Sequence, residues 1–398
     1  MKYSTVREMA EKWNISERLV QKYCAQGRIK GARKFGASWG IPYNTEKPQD
    51  PRKKRSNEFT TTDHDEISYS GLMPLLNAAF KPGHCLEYIN SMEDSCQKRI
   101  ALSEYYYFSG HPEEAIKEAE LYLLSSDMEL RLSACLICAY ANLSIGQIHK
   151  ARHALSEIKN VLVIDENISS QIKAAEAFIA ASSAILLHLP LPEGLPPVQK
   201  YISLLPPGLR AFALYVQAHY AYLQQEYGRS IGIVEATLSM QKEIYPIPTI
   251  YLHLVAVMDY MSLRQSERAQ AHLLAAWDLA RPDDLIEGFG EHHGLLGGML
   301  EAVIKPNWPE DFKRIIAITY RFSSGWRKIH NPDTGHDVAD NLTTTEFTAA
   351  MLASRGWTNQ EISEHMNISP NTVKRHISMA LQKLNIKHRQ DLKQYMLQ

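Results

Sequence analysis

Apolar residues recur at helical spacing along most of this chain, and the clearest pattern lies toward its C-terminal end. Val373, Ile377, Ala380, Leu381 and Leu384 mark one face of a helix predicted from Pro370 to about Lys383, and that stripe must turn inward. Lys374, Arg375 and Ser378 then point outward, close to the helix start. Three start signals punctuate the region. Thr343 precedes Glu346 by three residues and Thr358 precedes Glu361 by three. Each is the pattern of a capping box, in which hydroxyl and carboxylate satisfy orphan amides reciprocally. Ser369 before Pro370 is an N-cap followed by proline at the first helical position, where a missing N–H costs nothing. Gly356 is predicted to end the first helix, and Met366-Asn367-Ile368 to turn between the second and third. That layout is a helix-turn-helix, whose last helix meets base edges in the major groove.

A second small unit is predicted over residues 3–42. Thr5 and Glu8 form another capping box, opening a helix through Trp13; Ser16 caps a second helix to about Gln26, and Gly27 stops it. Val6, Met9, Ala10, Leu19, Val20 and Tyr23 make its core, leaving Arg18, Gln21, Lys22 and Ala25 on the opposite face. Ile29 to Ile41 then reads as a short β-hairpin carrying Lys30, Arg33 and Lys34 around Gly36-Ala37-Ser38. Two short helices followed by a basic hairpin describe a winged helix-turn-helix.

Residues 43–67 lose apolar content and read as a stiff, extended linker. Its run Arg52-Lys53-Lys54-Arg55 suits phosphate contacts or plain solvation equally. Residues 70–330 read as helix after helix. Small residues around Gly110 recur around Gly146, 36 residues on, close to the period of tetratricopeptide-like helical pairs. Weaker echoes are centred on Gly228 and Gln265, and Pro190-Leu191-Pro192 and Pro206-Pro207 break the pattern. Small residues there let antiparallel helices approach closely and stack into a continuous core.

Composition changes the picture only through its distribution. The 398 residues carry a net charge of −1, but residues 1–56 carry +9, residues 340–398 carry +2, and the middle −12. Basic ends around an acidic centre place nucleic-acid contacts at the ends. The amino terminus is polar from Lys2 and lacks an apolar core segment, and the apolar stretch Ala177 to Leu189 is too short to span a bilayer, so it is expected to be a buried helix and the protein cytoplasmic. Five cysteines suggest no disulfide framework; Cys135 and Cys138 form a lone C-x-x-C inside a helical pattern and are expected to pack there.

Catalytic and metal patterns are weak. No phosphate-binding glycine loop with its lysine occurs. The string Gly36-Ala37-Ser38-Trp39-Gly40 lacks the strand-turn-helix setting of a nucleophile elbow. His149 and His153 sit four apart without a third ligand, and Glu291-His292-His293 calls for the same restraint. The middle lacks the strand–helix alternation of a receiver domain. No enzyme activity, cofactor or metal is expected.

Against these residues, 342–392 resembles the LuxR-type (GerE-like) DNA-binding domain. The match runs through Leu342-Thr343, Glu346, Gly356, Asn359, Glu361-Ile362, Ile368-Ser369, Asn371-Thr372-Val373-Lys374, His376, Lys383-Leu384 and Arg389. The resemblance implies that Lys374, Arg375 and Ser378 read base edges, while Thr372, His376, Thr358 and Asn359 contact phosphate. Ser378 is shorter than the side chain often found there, and Ser363 stands for a usual alanine. The family also implies pairing through a fourth helix at about His388–Met396, where Leu392 and Met396 serve either a dimer contact or the intramolecular core. Residues 3–52 resemble the MerR-like, excisionase-type winged helix through Tyr3-Ser4-Thr5-Val6, Ala10, Trp13, Val20-Gln21, Gly27-Arg28-Ile29, Gly31-Ala32, Trp39, Ile41-Pro42, Lys47-Pro48 and Asp50. That family would set Arg18, Gln21 and Lys22 in the major groove, and Lys34 with its neighbour Arg33 on backbone or minor groove. The middle is similar to helical-repeat regions of some LuxR-type regulators.

The expected architecture is mainly α: a winged helix over 1–50, a basic linker over 51–69, a tetratricopeptide-like domain over 70–330, and a four-helix LuxR-type module over 338–398. The expected function is a sequence-specific transcriptional regulator on double-stranded DNA, acting as a homodimer. RNA polymerase or an effector would be met through the helical middle, and no membrane is involved. An architectural or recombination accessory protein is the alternative.

Overall fold

The computed structural model describes residues 3–13, 15–29, 31–36, 38–45, 47, 71–93, 95–161, 169–296, 298–330 and 342–392. The expected linker over 51–69 and Met396 lie outside them. The chain divides into two contact units, Met1–Glu66 and Ile67–Gln398.

In the first unit β1 (Tyr3–Ser4) leads into α1 (Val6–Trp13) and α2 (Glu17–Ala25), then β2 (Arg33–Phe35) and β3 (Ser38–Pro42). The Thr5–Glu8 capping box forms in both directions, at 2.8 and 3.3 Å. Ser16 takes the N-cap position of α2 but its side chain makes no capping bond. The strands are antiparallel in the order β1-β3-β2, with Phe35 opposite Ser38. Strand β1 is a finding: two residues are too few for an alternation signal. Gly36 turns the hairpin at φ +56°, the backbone that a two-residue connection requires. Gly40 lies under the Phe35 ring, where a Cβ would come within 2.7 Å. Met9, Trp13, Val20, Tyr23, Ile29 and Ile41 form the core.

The described regular elements of the second unit are all helical. After α3 (Cys85–Ser91), four helix pairs follow: α4 (Cys96–Phe108) with α5 (Pro112–Ala119), and α6 (Met128–Ser144) with α7 (Ile148–Val161). Beyond α8 (Ser170–Leu186) come α9 (Pro207–Leu223) with α10 (Tyr227–Met240), and α11 (Pro246–Ser262) with α12 (Ser266–Ala280). Helices α4, α6, α8, α9 and α11 pack side by side. The first helix of each pair ends on a left-handed residue, namely Gly110, Gly146, Gln225 and Arg264, and α8 ends likewise on His188. The next amide reaches back to a carbonyl five residues earlier each time, as in Gln147 to Asn142 at 2.8 Å and Glu226 to Ala221 at 2.9 Å. This is the double hydrogen bond of a Schellman ending. It corrects the expectation of a turn at Gly228, which sits inside α10; the turn falls on Gln225, and at the next pair on Arg264 rather than Gln265.

The chain continues through α13 (Glu287–Glu291), a π turn (Leu300–Ile304) and the long α14 (Pro309–His330), which lies against α6 and α13. A Cβ on Gly325 would overlap the Leu143 carbonyl oxygen, so α14 crosses α6 at backbone contact. Ala177 to Ile185 is buried within α8, and no helix among the described residues is long and apolar enough to cross a membrane. Cys135 and Cys138 are buried free thiols on α6, and burial raises their pKa to about 11 and about 12. The chain closes with α15 (Thr344–Ser354), α16 (Asn359–Met366), α17 (Pro370–Lys383) and a 3₁₀ turn at Arg389–Asp391.

Candidate nucleic-acid interface

Local chemistry sets each of the three C-terminal helices. The Thr343–Glu346 and Thr358–Glu361 capping boxes both close reciprocally. Ser369 accepts the Thr372 amide at 3.1 Å with Pro370 at N1. Gly356 ends α15 at φ +83° and Asn367 ends α16 at φ +50°. Ser363, in place of an alanine, is buried and donates its hydroxyl to the Ile368 carbonyl at 2.6 Å, so the polar atom braces the turn between α16 and α17.

Helix α17 is two-faced as its spacing requires. Val373, Ile377 and Ala380 are buried, while Lys374, Arg375 and Ser378 are exposed and share one face at three- and four-residue intervals. Asn371, one turn earlier, is exposed on that face too, and Met379 joins it at 37% exposure. Sequence reasoning gave these two no role. Thr358 is exposed, and Thr372, His376 and Asn359 are half-buried. Two of these are already engaged: the Thr372 hydroxyl lies 2.8 Å from that of Ser369, and Asn359 accepts from Arg389 at 2.5 Å. Lys383 is drawn inward, pairing with Glu346 at 2.7 Å. Partial burial of Glu346 opposes ionisation, but Lys383 and the Thr343 donors outweigh it and hold the carboxyl below its usual range. Leu392 is fully buried in the core, which places it on the intramolecular side of the two roles considered for it.

In the first unit Arg18, Gln21 and Lys22 are exposed together on α2, and Arg33 and Lys34 are exposed on the edge strand β2.

The C-terminal helices do not stand apart from the helical body. Arg355, at the end of α15, donates to the Tyr222 hydroxyl at 2.8 Å and the Leu295 carbonyl at 3.2 Å. Arg264, the left-handed residue ending α11, donates to the Gly356 carbonyl at 2.7 Å and lies 3.9 Å from Glu361. Phe347 packs on Gly294, where a Cβ would sit 2.5 Å from its ring. Glu301, in the π turn, accepts from Thr348 at 3.3 Å and from His293 at 2.8 Å, and these bonds hold its carboxyl below its ordinary pKa despite burial. Sequence reasoning missed this junction, whose members lie up to 133 residues apart and share no local pattern.

No curated protein and no solved structure matches the chain. Residues 340–396 match the family model described as bacterial regulatory proteins, luxR family, and this segment is a helix-turn-helix domain of that family.

Proposed function

We propose that this protein is a sequence-specific DNA-binding transcriptional regulator in which a helical sensor or scaffold carries the C-terminal helix-turn-helix and the N-terminal unit supplies a second DNA contact. One observation carries the reading: Lys374, Arg375 and Ser378 are exposed on the first turns of α17 while Val373, Ile377 and Ala380 on its reverse are buried. An exposed, basic, firmly backed helix is what entry into a major groove demands. Lys374, Arg375 and Ser378 read bases; Thr372, His376, Thr358 and Asn359 hold phosphates. On the N-terminal unit Arg18, Gln21 and Lys22 face the groove, and Arg33 and Lys34 the backbone. Two copies bind together, with RNA polymerase or an effector met by the helical body.

Bound sites are mapped with the full chain, and affinity is then measured by fluorescence anisotropy on the best site and on random DNA across a salt series. Lys374→Ala should cost the specific site about 1–3 kcal/mol, roughly fivefold to 150-fold, with the loss concentrated at one base pair. His376→Ala should weaken all sequences alike. Equal losses on both DNAs for both variants, or no discrete site at all, would overturn the assignment.

A further inference from the structure

Inside the helical body α4, α6, α8, α9, α11 and α13 surround a cavity of about 40 Å³, roughly three times the smallest space that holds one water. Its wall is mainly apolar and aromatic, including Leu136, Ile137, Phe212, Tyr107, Tyr140 and Tyr251. Two carboxylates line it: Glu104 of α4, whose oxygens accept the backbone amides of Leu75 at 2.8 Å and Leu76 at 2.9 Å, and Glu291 at the end of α13. Glu291 accepts hydrogen bonds from the hydroxyls of Tyr107 and Tyr251, the second at 2.9 Å. Donation to both its oxygens favours the ionised form, while burial raises its pKa. Glu287 lies one helical turn earlier and already takes Arg321 at 3.0 Å. Arg321 acts on both Glu287 and Glu291, but its ion pair is with Glu287, and among the described residues the partners that Glu291 hydrogen-bonds are the two tyrosine hydroxyls. A second feature is independent of these carboxylates. Ser182 is 1% exposed, lines the same cavity, and its hydroxyl has no hydrogen-bond partner. Buried hydroxyls are seldom left so.

We propose that this cavity binds a small organic ammonium ion, with its nitrogen on Glu291 and the Ser182 hydroxyl and its alkyl part against Leu136 and Ile137. The ammonium supplies a positive charge and the donor that Ser182 lacks. The tyrosine rings favour a cation at their faces, and the volume limits the ligand to a few heavy atoms. An anion would meet Glu291 as a like charge, and a neutral alcohol would leave its charge unbalanced. This inference deepens the proposed function by giving the sensor body a ligand class, and it rests on that reading only for its purpose.

The test is isothermal titration of the full chain with ethyl-, propyl- and butylammonium chloride, with 1-propanol and sodium propionate as controls. Propylammonium should bind with a dissociation constant of about 1 mM or tighter, and Glu291→Gln should weaken it about tenfold or more. Ile137→Phe, which fills the space and leaves Glu291 in place, should abolish it. Equal binding of 1-propanol, no heat from any ammonium up to about 10 mM, or affinity unchanged in both variants would overturn the proposal. Circular dichroism checks folding; should Glu291→Gln fail to fold, Ile137→Phe and the two controls decide. DNA affinity measured on the same samples separates the two readings. Intact specific DNA binding without ammonium binding removes this inference alone, and the converse removes the regulator alone.

Discussion

Glu301 is one of the points where the body grips the C-terminal helices, and Glu301→Gln isolates its charge. Its side chain is 8% exposed and that of His293 is 2%. One carboxylate oxygen accepts both His293 at 2.8 Å and Thr348 of α15 at 3.3 Å. Glutamine preserves the shape and an acceptor but removes the charge. Charge-assisted bonds are roughly twice as strong as neutral ones, so each of the two should lose about 1 kcal/mol, and the variant about 2 kcal/mol at neutral pH. The pH dependence follows from the depressed pKa of Glu301. The contribution is complete above the unfolded carboxylate value of 4.5 and is lost as pH falls through the lower folded value. Wild type and variant should therefore differ by about 2 kcal/mol at pH 7 and by less at pH 3. Urea unfolding measures the difference, and amide exchange over 344–354 localises it. If opening of this junction controls exchange there, rates should rise about thirtyfold, the equivalent of 2 kcal/mol. Equal stability at pH 7, or the same gap at both pH values, would refute the reasoning.

The turns and the buried acids give further predictions. Gln225 and Gly146 occupy equivalent left-handed positions, so Gly146→Ala should destabilise by about 1–2 kcal/mol, while Gln225→Gly should be neutral or stabilising by up to about 1 kcal/mol; thermal unfolding compares them. Asp259 is fully buried on α11 with neither carboxylate oxygen hydrogen-bonded, Ser230 being its polar neighbour, and burial raises its pKa to about 8. The folded carboxyl keeps a proton that the unfolded chain releases above 3.8, so this group costs stability increasingly as pH rises from about 4 to 8. Asp259→Asn should remove that slope and gain about 3 kcal/mol over wild type between pH 5 and 7.5; parallel urea midpoints across that range would contradict it.

The helix-turn-helix was legible because its determinants are local. Capping boxes at Thr343 and Thr358, proline at 370 and glycine at 356 each act within one helical turn, and all take the positions their spacing requires. The mainly helical architecture with a small sheet was legible for the same reason. Turn positions were readable only where glycine supplies the left-handed backbone. Gln225 and Arg264 adopt the same geometry with ordinary side chains, so the pattern drifted to Gly228. Long-range polar contacts left no trace at all. Nothing near Arg264 or Arg355 in sequence announces that they meet across the junction, and Glu291-His292-His293 offered only adjacency. Their partners, Tyr107, Tyr215 and Glu301, arrive from separate helices.

That adjacency joins the cavity to the DNA-binding helices. Glu291 closes α13 against the cavity, His292 bonds Tyr215 at 2.9 Å, and His293 bonds Glu301, which in turn holds Thr348 of α15. An ammonium ion on Glu291 competes for the acceptors of Tyr107 and Tyr251, and any adjustment there moves the backbone that carries His293. A ligand shifts such an equilibrium only by its differential affinity for the two arrangements, so coupling has to appear as non-additivity. In a double-mutant cycle on DNA affinity with propylammonium present, Glu291→Gln and Glu301→Gln should therefore interact by at least about 0.5 kcal/mol. Without the ligand the same cycle should sum to nearly zero. Additivity in both conditions would mean that the contiguous side chains from Glu291 to Thr348 fasten the domain without carrying a signal to it.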